Sequence, residues 1–246
     1  MWHVAKASVI GTSHQRMSLP CQDSHYVLQQ GDTIIIAVSD GLGSAAHSEQ
    51  GSALACTTAV EFISQTLAQT ATRNDEHMCQ QAFTEARNAL VALATSQGKE
   101  LRDFACTLVV AVITPTVWMI QHIGDGAVVG MYADGAVRTL SSPDNGEFIN
   151  STYPLTSSDY QTQMRFMAQH EALAGIAVVS DGVQPMCINY KTSAAFPGFF
   201  APLTTWLSGL KELSRADSIL TTMLDSPQFR LKSDDDMTLV LAIRAS

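Results

Sequence analysis

Apolar and polar positions along the chain change period several times. Trp2 to Ile10 mixes apolar and small residues and predicts a strand ending at Gly11. Residues 11–23, GTSHQRMSLPCQD, are turn-rich, and Pro20 breaks any regular element. SHYVLQQGDTIIIAVSD predicts a hairpin with Gly31-Asp32 at its turn. The run Ile34 to Val38 is too short and too continuous for a surface helix, so it predicts a buried strand. From Ser44 to Gln69 the period turns helical, with Leu54, Ala55, Thr58, Ala59, Phe62 and Ile63 on one stripe. A second long helix follows, with Asn74 or Asp75 capping its start and Gly98 just past its end.

Strand patterns return at Phe104. FACTLVVAVI, VWMIQHIGDG, AVVGMYAD and AVRTL are short and β-rich, and they predict an antiparallel meander. Ser141 to Ser158 is polar and irregular and predicts a loop or flap. QTQMRFMAQ and GIAVVSD predict two more strands, Phe199–Leu210 and Arg215–Leu224 two helices, and MTLVLAI the last strand. Helices do not alternate with strands one by one, so a doubly wound fold is not expected. The order predicts an α+β fold of two mostly antiparallel sheets packed face to face, with helices outside. No linker or repeat interrupts it, and residues 1–246 are expected to form one domain.

Composition narrows the function. A net charge of -9 argues against a nucleic-acid surface, which needs clustered Lys and Arg. No run of about 18 apolar residues exists to span a membrane. The five cysteines show no CxxC spacing and no disulfide framework, so a reducing cytoplasm is the expected location.

Part of the acid is clustered rather than spread. Asp23, Asp40, Asp125, Asp181 and Asp235 are read as following apolar strands at their ends, and IIIAVSDGLG and IAVVSDGV nearly repeat one another. A lone Asp-Gly is an ordinary turn. Several carboxylates at strand ends have a different consequence: brought together they repel, and a hard divalent cation with oxygen ligands removes the repulsion. Paired cations can then serve phosphoryl displacement.

The motifs CQDSHYV, VSDGLGS, ACTLVVAVI, HIGDGAVVGMY, VVSDGV and DDMTLVLAI occur in the order and spacing of the metal-dependent protein phosphatases, the type 2C serine/threonine phosphatases. The chain most resembles their bacterial branch, from Gly11 to Ile243. That resemblance implies a four-layer α-β-β-α sandwich and two divalent cations, Mn or Mg. Asp40 and the Gly41 carbonyl would hold the cations, with Asp40 bridging, and Asp181 and Asp235 would bind one of them. Asp23 would act in the same shell through waters. Asp125 resembles an acid that serves a third cation in some members. The implied reaction is hydrolysis of phosphoserine or phosphothreonine by an activated water, with no covalent phosphoenzyme. The implied substrates are phosphoproteins made by serine/threonine kinases.

The chain departs from the pattern in places. Gln22 stands where many members have Glu, Leu42 where animal members often have His, and Asp236 where Asn is common. Ser18 stands near the usual phosphate-gripping Arg, leaving His14 and Arg16 as candidates for that grip. GVQPM after Asp181 lacks the acid that supports a third cation, which counts against one here. Ser39 and Ser180 read as local hydrogen-bonders, and Cys21 as a buried or loop thiol rather than a nucleophile. Two other functions fit the same residues: a phosphatase-like regulator without turnover, and a phosphatase for small phosphoesters.

Overall fold

A computed structural model of the protein describes residues 1–69, 75–143 and 152–245. Two five-stranded antiparallel sheets dominate it. The first has the order β1 (Trp2–Val9), β12 (Met237–Arg244), β9 (Gly175–Val179), β6 (Ala127–Met131), β7 (Val137–Ser141). The second runs β2 (Ser24–Gln30), β3 (Thr33–Ser39), β4 (Leu108–Ile113), β5 (Trp118–Ile123), β8 (Arg165–Gln169). A small hairpin joins β10 (Ile188–Asn189) to β11 (Ala194–Ala195).

Apolar runs without alternation follow from burial of both strand faces. In β3, Ile34, Ile36 and Val38 point between the sheets, where they meet Val109, Ala111, Val128, Val178 and Val240. The alternate residues Ile35 and Ala37 point outward, against α2 (Ser48–Gln69) and α3 (Asp75–Gln97). On the far side, Leu239, Leu241 and Ile243 of β12 meet Phe200, Leu203 and Leu207 of α6 (Pro197–Gly209) and Leu220 and Leu224 of α7 (Ala216–Leu224). The layers are therefore helix, sheet, sheet, helix, as expected.

Most elements fall where the hydrophobic pattern put them, and five expectations need correction. The strands after Phe104 do not form one meander: β4 and β5 lie in one sheet, β6 and β7 in the other. The change of sheet happens at Gly124, whose φ of +106° suits glycine, and a Cβ there would meet Thr107 Cγ2 at 2.5 Å. The turn-rich segment holds a short helix, α1 (Thr12–Met17), that ends at Ser18 in the left-handed region with φ 55°. Six residues are too few to show a helical period. The first long helix begins at Ser48 rather than Ser44, because residues 42–47 form turns tied to Leu42 and Asp103 carbonyls. QTQMRFMAQ opens with a helical turn, α4 (Tyr160–Gln163), before β8. Finally, Asp23 and Asp235 precede their strands instead of following them.

Gly98 stands past α3 with φ +64°, as expected for a helix stop. Asp75 is the first residue of that helix; the alternative cap, Asn74, lies outside the described residues. Of the expected loop Ser141 to Ser158, residues 144–151 also lie outside them. Two short helices complete the set, α5 (Gln184–Cys187) and α8 (Pro227–Arg230). No described helix is long and apolar enough to cross a membrane.

The sheet–sheet interface should dominate stability. Ile36 is fully buried there, so Ile36→Ala is expected to cost about 2–5 kcal/mol in urea unfolding. Leu231, 85% exposed, is the control, and Leu231→Ala should change stability by less than about 0.5 kcal/mol.

Candidate active site

Strand register gathers the five acids. Ser24 faces Ser39, Leu108 faces Ile123, and Val179 faces both Ala127 and Leu239. The start of β2, the end of β3, the β5–β6 turn, the end of β9 and the start of β12 thus lie at one end of the sandwich. Asp23, Asp40, Asp125, Asp181 and Asp235 sit in those five places.

The turn after β3 is fixed on both sides. Asp40 N–H donates to Thr107 Oγ1 at 2.9 Å, Thr107 N–H returns a bond to the Asp40 carbonyl at 2.8 Å, and Leu42 N–H donates to the Ala105 carbonyl at 2.9 Å. The second SDG turn rests on the backbone of Asp236: a Cβ on Gly182 would lie 2.0 Å from that carbonyl oxygen. Only glycine permits this approach, which brings Asp181 beside Asp235.

A cleft of about 270 Å³ is lined by His14, Asp40, Gly41, Asp125, Asp181 and Asp235, together with Ser13, Leu42, Gly43 and Thr152. A groove of about 770 Å³ adjoins it, sharing Asp125, Thr152, Asp181 and Asp235 and adding Tyr190 and Lys232. Asp23 is not part of the lining. It is buried behind Asp40, 7% exposed.

Electrostatics marks the cluster as incomplete. Burial, then repulsion from Asp23, Asp181 and Asp125, holds the Asp40 carboxyl well above the usual carboxylate range. Asp181 is raised for the same reasons, burial first and then Asp125, Asp235 and Asp23. Desolvation raises Asp125 and Asp235 too. Asp23 is pushed up to about 7 by burial, against the bond it accepts from Ser180 and the nearby Thr238 hydroxyl. Repulsion from Asp23, Asp181 and Asp125 converges on Asp40, which stands at the centre of the group. Asp23 Oδ1, Asp125 Oδ1 and Asp181 Oδ1 are buried without a partner. Buried, unpaired, mutually repelling carboxylate oxygens fit hard divalent cations.

His14 and Arg16 part company. His14 is buried and lines the cleft, with Nδ1 3.0 Å from Asp236 Oδ2 but off the line of a hydrogen bond. Arg16 stays exposed and pairs with Asp234 at 3.4 Å, outside the cleft lining. Ligand atoms of His14, Asp235 and Asp236 lie within 4.8 Å of one another. The trio is nevertheless a poor metal site on its own, because Asp236 uses both oxygens on backbone donors. Gly11 N–H reaches Oδ1 at 2.6 Å and Gln22 N–H reaches Oδ2 at 2.5 Å.

Several supporting residues escaped the sequence reading. Thr152 Oγ1 donates to Asp125 Oδ2 at 2.5 Å and Gln184 Nε2 to the Asp125 carbonyl at 2.5 Å. The serines of the two SDG turns are not local hydrogen-bonders: Ser39 Oγ reaches the Thr107 carbonyl at 2.5 Å and Ser180 Oγ reaches Asp23 Oδ2 at 2.6 Å. The repeated serine before each Asp-Gly was the available signal. Cys21 is partly buried, and burial together with Asp23 and Asp236 drives its thiol well above the ordinary range, so no thiolate forms there.

Comparison with known proteins agrees with this geometry. The sequence profile of the family described as Protein phosphatase 2C matches residues 10–225. Serine/threonine-protein phosphatase 3 of Escherichia coli (strain K12) is 29% identical over 251 residues, spanning 99% of this chain and 99% of that protein. Among solved structures, the catalytic domain of the serine/threonine protein phosphatase PstP, in complex with two manganese ions, superposes with a TM-score of 0.64 at 15% identity, over 100% of this chain and 99% of that one. The S. agalactiae serine/threonine phosphatase gives 0.64 at 15% identity, over 99% of both chains. With the profile matched across most of its length, the chain belongs to the protein phosphatase 2C family and is a serine/threonine phosphatase.

Proposed function

We propose that the protein hydrolyses phosphoserine and phosphothreonine in protein substrates at this cleft, with residues 1–246 acting as one catalytic domain in the cytoplasm. The observation that carries the proposal is the central position of Asp40, repelled by Asp23, Asp181 and Asp125 while buried carboxylate oxygens around it lack partners. Asp40, the Gly41 carbonyl, Asp181 and Asp235 would hold two divalent cations, Mn or Mg, with Asp23 in their outer shell. Such cations, when bound, lower the pKa of water and neutralise charge on a phosphoryl group. Asp125 has one oxygen committed to Thr152 and one unpaired, so it is available for a further cation but half spent.

The chain's own groups supply the rest. His14 is the candidate donor to substrate phosphate, since it lines the cleft and Arg16 does not. The adjoining groove with Tyr190 and Lys232 gives an extended peptide room on one side of the phosphorylated residue. The five cysteines are free, which supports a reducing location. Substrates are phosphoproteins made by a serine/threonine kinase. The acids required for turnover are all present, so a regulator without activity is the weaker reading.

Asp40→Asn and Asp181→Asn should each lower Mn-dependent hydrolysis of a phosphothreonine peptide at least about a hundredfold. Undiminished rates would sink the proposal. The same variants should melt higher than the parent in chelator, because each removes a repelled buried charge.

The cation-free protein should also lose stability as pH rises. Asp23 holds its proton to about pH 7 in the fold but only to about 3.9 when unfolded. Between those values the folded state binds more protons, so stability present at about pH 4 declines as pH climbs through about 7. Melting temperatures in chelator across this window are expected to fall, and Mn at the upper end to restore them.

A further inference from the structure

Behind Asp23, hydroxyl groups form a row that leads away from the cleft. Ser180 Oγ donates to Asp23 Oδ2 at 2.6 Å and accepts the Thr238 N–H at 2.9 Å. The Thr238 hydroxyl stands against the same carboxylate and favours its charged form. Ser8 Oγ lies 2.7 Å from Thr238 Oγ1 and 2.8 Å from His25 Nδ1. Ser8 and Thr238 are directly opposed in the β1–β12 ladder, so register alone brings their hydroxyls together. Ser180 and Thr238 are buried, while Ser8 and His25 are half-buried.

The row reaches Asp23 through Ser180. Thr238 N–H holds the Ser180 hydroxyl, and that hydroxyl holds Asp23 Oδ2. Ser8 ties the Thr238 side chain to His25, so the strand position that fixes Ser180 is braced from behind.

We infer that Ser8 and His25 are positioning residues for Asp23: they brace Thr238, whose N–H fixes the Ser180 hydroxyl that holds Oδ2, leaving the unpaired Oδ1 for the cation cleft. The inference rests on the reading of Asp23 as part of the cation shell. Partners of this kind orient carboxylates around metals, and their loss costs about 10–100-fold in affinity or activity. Ser8 lies outside every motif that marks the site, and His25 stands two positions after Asp23 in CQDSHYV.

Two measurements test it, on the full chain. Titration calorimetry with Mn should show about tenfold weaker binding for Ser8→Ala, with kcat on a phosphothreonine peptide lowered about tenfold and KM unchanged. Ser8→Thr keeps the hydroxyl on a β-branched residue and should recover both. His25→Ala serves as the second variant and should move in the same direction as Ser8→Ala. A folded Ser8→Ala that binds Mn and turns over like the parent overturns the relay and leaves the active site standing. A parent chain that neither binds Mn nor hydrolyses the peptide overturns the active-site reading, and the relay's purpose with it.

Discussion

Like charge confined at low dielectric is the constraint on which this structure depends. Asp23, Asp40, Asp125 and Asp181 are brought into mutual repulsion at a place from which water is largely excluded. Among the described residues, no Lys or Arg lines the cleft: Arg16 turns outward to Asp234, and Lys232 lies only in the adjoining groove. The fold must supply the energy to hold this cluster. It does so with an interior in which both faces of the central strands are buried, and with backbone bonds that fix the turns carrying the acids. The core and the site are therefore one argument. The sandwich is the frame that makes an unfavourable arrangement of carboxylates persist until a ligand relieves it.

The sequence displayed some of this arrangement and concealed the rest, for physical reasons. Unbroken apolar runs in β3 and β12 were readable because burial on both faces removes alternation. Asp40, Asp125 and Asp181 were readable because Asp-Gly after such a run is a short-range signal. Sheet membership was not: a single glycine at Gly124 moves the chain from one sheet to the other, while the strands on either side look alike. The short helix α1 was hidden because a stop at Pro20 and six residues leave no period to detect. Long-range partners were hidden most completely. Ser180 and Asp23 are 157 positions apart, and nothing local in either segment names the other.

The same distinction divides the two candidate phosphate ligands. His14 and Arg16 stand two positions apart on one short helix, and the helical turn points them in different directions. The sequence offered both as candidates, and it is His14 that is buried against Asp235 and Asp236. A residue's chemistry proposes its role, but the direction imposed by the local backbone decides whether the role can be filled.

Asp236 gives the departure at Gln22 a physical sense. Relative to the usual pattern, the chain lacks a carboxylate at 22 and gains one at 236. The two positions are in contact: Asp236 Oδ2 accepts the Gln22 N–H, while the Gln22 carbonyl accepts Ser52 Oγ at 2.6 Å. The Asp236 charge is spent on backbone donors of Gly11 and Gln22, tying the α1 segment and the approach to β2 onto the start of β12. Those are the segments that carry His14, Asp23 and Asp235. Asp236 therefore braces the walls of the cleft from outside its lining.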